Sequence, residues 1–259
     1  MQLSLSNSLS RTRMGLDPSI SAFAAASGAT DLTPLNNLAK YLRSQSLISS
    51  ARCFPFKSAQ NAGSGSTVYG WGDLTANNCT LVNSPTWGAD GIDFDNALSQ
   101  RWVLGDCLGG GTITAFSRVH ISSLAAVNSV GLFAQYAGPS DRSVGIGPAA
   151  SGKYELRRSS DGGTVQLETF ESNSLSVTTD DACITAQWVN GGGRFLWIDN
   201  LSQGLTLTGG FTQTSRFNTS VDVGGMVFLR GVQKAVLVID GVSITDAQRE
   251  AITDLINAL

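Results

Sequence analysis

Histidine is almost absent, since His120 is the only one in 259 residues. A single imidazole cannot build a zinc site of the usual His/Cys kind, and any nucleophile–His–acid triad would have to pass through it. His120 lies in Phe116-Ser-Arg-Val-His-Ile-Ser122, an alternating strand pattern, and no G-x-S-x-G elbow follows an apolar strand. Glutamate is also scarce, with only Glu155, Glu168, Glu171 and Glu250. A glycosidase on a β-sandwich is expected to place its acids on alternate residues of one strand, which share a face. Glu168 and Glu171 are three apart, so a regular strand points them to opposite faces. These shortages predict a protein that is not an enzyme.

Other absences narrow the reading further. Cys53, Cys79, Cys107 and Cys183 are widely spaced with no C-x-x-C pair. Four cysteines allow three disulfide pairings, and buried free thiols are the favoured reading because Cys107 and Cys183 sit beside apolar strand patterns. Charged residues make up 14% of the chain and the net charge is −3, which excludes a broadly basic surface for nucleic acid. The glycine clusters at 109–111 and 191–193 open no helix, so no phosphate cradle or cofactor is expected. The N-terminus lacks the charged and apolar regions of a secretory signal, and Ile20–Ala26 is too short to span a bilayer. The expectation is a soluble chain made in the cytosol.

What the chain does contain is glycine, small polar residues and short apolar runs. Residues 1–51 read as a helical segment. Pro18 opens a helix that Gly28 ends. A second helix starts at Asp31 or Thr33 as its cap and carries Leu35, Leu38, Ala39 and Leu42 on one face. From 52 onward strands dominate, the clearest at Thr112–Ile121, Val130–Tyr136, Ser143–Ile146, Tyr154–Arg158, Val165–Phe170, Ala182–Val189, Arg194–Ile198, Val221–Leu229 and Ala235–Asp240. Turns are expected at Ser160–Gly163, Asn190–Gly193 and Gly209-Gly210. Nine strands with no helix between them predict a mainly β fold, an antiparallel sandwich.

The last forty residues add a strand and a closing helix. Ala235–Ile239 is apolar at every position, so both faces of that strand should be buried. Asp246–Leu259 carries Ala247, Ala251, Ile252, Leu255, Ile256 and Leu259 as one stripe, and Thr245 with Gln248 forms a capping-box pair. At about 25 cal/mol per Å2, docking that stripe on the strand is worth several kcal/mol before ordering costs.

Three segments carry a resemblance. They are Leu74 to Asp95, read as a first hairpin; Ile184 to Asn200, a strand–turn–strand; and the closing Val236–Leu259. Together they resemble the concanavalin A-like, laminin-G-type jelly-roll domains of bacteriophage virion proteins. The resemblance implies an N-terminal helical anchoring segment (1–51) ahead of a jelly-roll domain (52–259) whose C-terminal helix packs on the sandwich. It also implies a structural role in a tail, fibre or capsid decoration, attached to other virion proteins as a homo-oligomer, a trimer for example, and assembled in the host cytoplasm. The alternative is an adhesin for host surface glycans. Sugar sites use aromatic platforms beside amides and carboxylates, and Trp197, Asp199 and Asn200 are the candidates. Against them stands burial of Trp188 and Trp197 in the core. Asp90, Asp93 and Asp95 form the densest acidic cluster and are the weak candidates for calcium.

Overall fold

A computed structural model describes residues 15–74, 78–105, 108, 111–123, 132–138, 141–148, 152–159, 167–173, 181–210, 222–225 and 230–259. The strands follow in chain order as β1 (Ala51–Pro55), β2 (Thr67–Val68), β3 (Cys79–Val82), β4 (Thr86–Trp87), β5 (Ile92–Phe94) and β6 (Arg101–Gly105). Then come β7 (Ile113–Ser123), β8 (Phe133–Gly138), β9 (Asp141–Pro148), β10 (Tyr154–Ser159), β11 (Leu167–Ser172) and β12 (Ala182–Trp188). The last are β13 (Arg194–Ile198), β14 (Leu201–Gln203), β15 (Leu205–Gly210), β16 (Asp222–Gly225) and β17 (Arg230–Asp240). The helices are α1 (Pro18–Ser27), α2 (Thr33–Ser44) and α3 (Asp246–Asn257).

Two antiparallel sheets stack as a sandwich. One runs β14-β13-β12-β7-β17-β5-β4, with β1 also paired to β17, and the other runs β15-β11-β10-β9-β8-β16-β6-β3-β2. Between them lies a core that includes Trp102, Phe133, Ile146, Leu156, Ile184, Trp188, Val236 and Val238. The Phe133 and Trp188 rings meet across it with centroids 6.4 Å apart. The fold is the expected mainly β, antiparallel sandwich with a helix on its outer face.

Pleating divides the first sheet between two cores. Side chains alternate along a strand, so in β17 Val236 and Val238 enter the sandwich while Ala235, Leu237 and Ile239 face outward. In β7 the outward residue is Phe116, and in β12 it is Cys183. All three helices cover this outer face. Ile20 and Phe23 of α1, Leu35, Leu38 and Leu42 of α2, and Ile252 and Ile256 of α3 fill a second core with it. The two faces of Ala235–Ile239 are therefore both buried, as its composition predicts. The helices of the 1–51 segment belong to the same core as α3, and residue 51 is itself the first residue of β1.

Local chemistry explains the helix ends. Asp17 caps α1 by accepting from the Ser19 N–H at 2.9 Å, and Gly28, at φ 74°, closes it with the left-handed geometry that suits glycine. The capping box of α3 is present, with Gln248 N–H donating to Thr245 Oγ1 and Thr245 N–H donating to Gln248 Oε1. The start of α2 differs from expectation. Leu32 occupies the cap position with no side-chain bond, because Asp31 instead accepts from Gln60 Nε2.

Several strand expectations also need correction. Gly209 and Gly210 belong to β15, paired with Thr169 and Glu168, and form no turn. Residues 74–95 are not a single hairpin, because β3 joins one sheet while β4 and β5 pair in the other. In α3, Arg249 and Thr253 share the buried face with Ile252 and Ile256, whereas Ala247 is exposed. The Ser160–Gly163 turn and the ends of the strands expected from Val130, from Val165 and through Leu229 lie outside the described residues, as does Cys107. Cys53 and Cys183 are free and buried, and Cys79 is buried.

Candidate functional site

The same pleat that packs the helices also exposes one end of the first sheet. In β13, Leu196 turns into the sandwich, so Phe195 and Trp197 point outward. Their cross-strand partners share that face, namely Gln187 opposite Phe195 on β12 and Ser202 opposite Trp197 on β14. Helix α3 ends this open area, presenting Asp246, Arg249 and Glu250 at i, i+3 and i+4 on one side. A cleft of about 500 Å3 lies between strands and helix. Gln187, Phe195, Trp197, Asn200, Ser202, Ile244, Asp246, Arg249 and Glu250 line it.

Its aromatic part is a short stack. The Phe195 and Trp197 rings lie 5.7 Å apart at 25° to each other, and the Arg249 guanidinium sits over the Trp197 ring at 4.6 Å from its centre. Trp197 is thereby only 8% exposed, while Phe195 remains 45% exposed. Phe195, not Trp197, is the ring a ligand can reach. Trp197 is buried beneath α3 on the outer face and not in the sandwich core as expected, whereas Trp188 does lie in that core.

Polar groups hold Arg249 in place. Its Nη1 donates to Asn200 Oδ1 at 2.9 Å and its Nη2 to Glu250 Oε1 at 3.0 Å, with Nε 3.6 Å from Asp246 Oδ1. Asn200 donates in turn to Asp254 Oδ1 at 3.2 Å. Gln187 is nearly buried at the floor and donates from Nε2 to Thr114 Oγ1 at 3.0 Å. Asp246, Glu250 and Ser202 form an exposed rim.

Two of the three sugar candidates therefore meet. Trp197 and Asn200 line the cleft and Asp199 does not. Asp199 and Asn200 form the β13–β14 turn with φ values of 44° and 70°, a two-residue hairpin geometry that Asp and Asn tolerate. The Asp199 carboxylate accepts from the Cys183 N–H at 2.9 Å and from Asn257 Nδ2 at 3.1 Å, so it ties the turn to β12 and α3. The acidic candidates for calcium are dispersed in role. Asp93 lies in β5, Asp90 belongs to the turn before it, and Asp95 accepts from the Ala97 N–H. Among the described residues no three His, Cys, Asp or Glu side chains gather as a metal group.

Sequence reasoning missed Phe195, Gln187, Ser202 and the three α3 residues. The spacing Phe195-Leu-Trp197 was a usable signal, since aromatics two apart share a strand face. Arg249 gave none, because an arginine on a helix reads as solvent-exposed. His120 stands apart from the cleft, with Nδ1 3.6 Å from Asp181 Oδ1. Burial is the largest single influence on the Asp181 carboxyl and raises it, but the hydrogen bond from Lys234 and the charges of Lys234, Arg118 and His120 together outweigh it and lower it.

No protein-family model matches this sequence, and no curated protein does either. Solved structures do match in shape. Domain 4 of AbnA, a GH43 extracellular arabinanase from Geobacillus stearothermophilus solved with arabinotriose, aligns with TM-score 0.51 and 11% identity over 78% of this chain and 87% of that domain. Trypanosoma rangeli sialidase in complex with 2,3-difluorosialic acid aligns at 0.55 and 11% identity, over 88% of this chain but 39% of the sialidase. The botulinum neurotoxin serotype D binding domain aligns at 0.54 and 9% identity, over 81% of this chain and 52% of that one. At such identities the likeness establishes a shared β-sandwich architecture.

Proposed function

We propose that this protein is a non-enzymatic glycan-binding module whose sugar site is the cleft beside α3. The observation that carries the reading is the half-exposed Phe195 ring, backed by Trp197 and ringed by hydroxyl, amide and carboxylate groups. A pyranose offers an apolar C–H face and a periphery of hydroxyls, which matches an aromatic plate with polar groups around it. The solved complexes of the arabinanase domain with arabinotriose and of the sialidase with a sialic acid derivative support the choice of ligand class.

A glycan array probed with the full chain tests this. Phe195→Ala should abolish the signal while leaving the unfolding midpoint nearly unchanged, because the ring is exposed. Equal array binding by the variant would refute the site. Incubation with a bound glycan should release no shorter sugars.

The setting we propose is a phage particle, supported by the jelly-roll resemblance and the low charge of the chain. There the module is a structural component of tail, fibre or capsid, joined to neighbouring subunits as a homo-oligomer and displaying the cleft to host glycans. Mass spectrometry of purified virions should find the chain at stoichiometric copy number.

A further inference from the structure

The lining of the cleft is unbalanced in both charge and hydrogen-bond sense. Its one cation, Arg249, is 4% exposed and committed to Asn200, Glu250 and the Trp197 ring. Its two carboxylates share that one cation and stay open to solvent, since the Asp246 and Glu250 side chains are 83% and 56% exposed. At the floor, Gln187 spends its amide N–H on Thr114, and its oxygen has no partner among the described residues. Asn200 is already bonded through both amide atoms. Around the Phe195 plate, two exposed carboxylates face one buried guanidinium, so the ion balance is negative, and the Gln187 oxygen adds an acceptor at the floor.

A ligand complementary to such a surface donates hydrogen bonds and is neutral or positive. An acidic sugar would bring a third carboxylate towards Asp246 and Glu250, whose one neighbouring cation they already share. An N-acetyl group would replace a donor-rich ammonium with a carbonyl that needs a donor. Resting on the glycan-binding reading above, we infer that the cleft selects sugars bearing a free, protonated amine, of the glucosamine type, over their N-acetylated and carboxylated counterparts. Phe195 carries the sugar ring, Gln187 accepts from a hydroxyl at the floor, and Asp246 with Glu250 holds the ammonium.

Calorimetric titration of the full chain with three defined tetrasaccharides tests this, at mildly acidic pH where the amine is protonated. The probes are tetraglucosamine, tetra-N-acetylglucosamine and tetragalacturonate. Exposed ion pairs are individually weak, so tetraglucosamine should bind about three- to tenfold more tightly than the acetylated probe, with the uronate weakest. Asp246→Asn and Glu250→Gln should each lower tetraglucosamine affinity towards that of the acetylated probe. Raising salt to about 0.5 M should compress the ranking, because screening acts on exposed charges. Equal or tighter binding of the uronate, or a ranking untouched by both substitutions, overturns the inference. If the acetylated probe binds and Phe195→Ala abolishes it, while no charge ranking appears, only the charge selectivity falls. If no probe binds, the glycan reading falls with it.

Discussion

The guanidinium of Arg249 rests on the ring of Trp197, 4.6 Å from its centre, and so joins α3 to β13. Arginine stems bury apolar surface as well as charge, and this one also satisfies Asn200 Oδ1. Arg249→Ala should cost about 2–3 kcal/mol through lost contact, lost cation–π attraction and an unpaired amide. Urea unfolding followed by tryptophan fluorescence checks the loss, and the native emission of the variant should shift to the red as Trp197 gains water.

Docking of α3 rests on fewer residues than its apolar stripe suggests. Ile252 and Ile256 are fully buried, whereas Leu255 is only partly so. Ile256→Ala should destabilise by about 2–5 kcal/mol, as truncation of a packed core residue does. Leu255→Ala should cost less than half as much. Thermal unfolding of the two variants side by side gives the order, and a reversed order would mean that the helix docks through another face.

Acid should weaken the start of the helical layer. The Arg43 guanidinium, 2.5 Å from Asp17, holds that carboxyl well below the usual range, with burial opposing it and Ser19 assisting. A depressed folded-state pKa contributes stability above the unfolded value, near 4, and the contribution is lost as pH falls further. Because Arg43 is half exposed, Asp17→Asn should cost only about 2 kcal/mol at pH 7. Denaturation curves at pH 7 and at about pH 2.5 should show that gap narrowing in acid.

The thiols should be inert in the native state. Burial pushes Cys183 up to about 12 and raises Cys53 further. Thiolate is the reactive form, so alkylation at pH 8 should leave Cys53, Cys79 and Cys183 unlabelled until guanidinium unfolds the chain. Mass-spectrometric mapping of the labelled cysteines checks it.

Much of the ending was legible in sequence because its signals are local. The Thr245–Gln248 box and the unbroken apolar run of Ala235–Ile239 both give the right structure from a few adjacent residues. Pairing was not legible. That β17 would lie against β7 on one side and against β5 and then β1 on the other depends on contacts between residues far apart in the chain. The site divides in the same way. Trp197 and Asn200 could be read from their own hairpin, but the cleft exists only where α3 meets that hairpin. Its floor and rim, Gln187, Asp246 and Glu250, look like ordinary polar residues until the two elements are placed side by side.

The two-faced strand β17 also sets a timetable for synthesis. Ala51 lies opposite Ile239, and Val119 opposite Gln233, so the middle of the first sheet is completed long after its first strands are made. A chain still on the ribosome therefore carries the edge of β7 that pairs with β17, and part of the apolar side of α2, without their cover until residue 240 has emerged. Truncated products of this protein should be poor substrates for folding and good ones for chaperones and proteases, however much of the sandwich they contain.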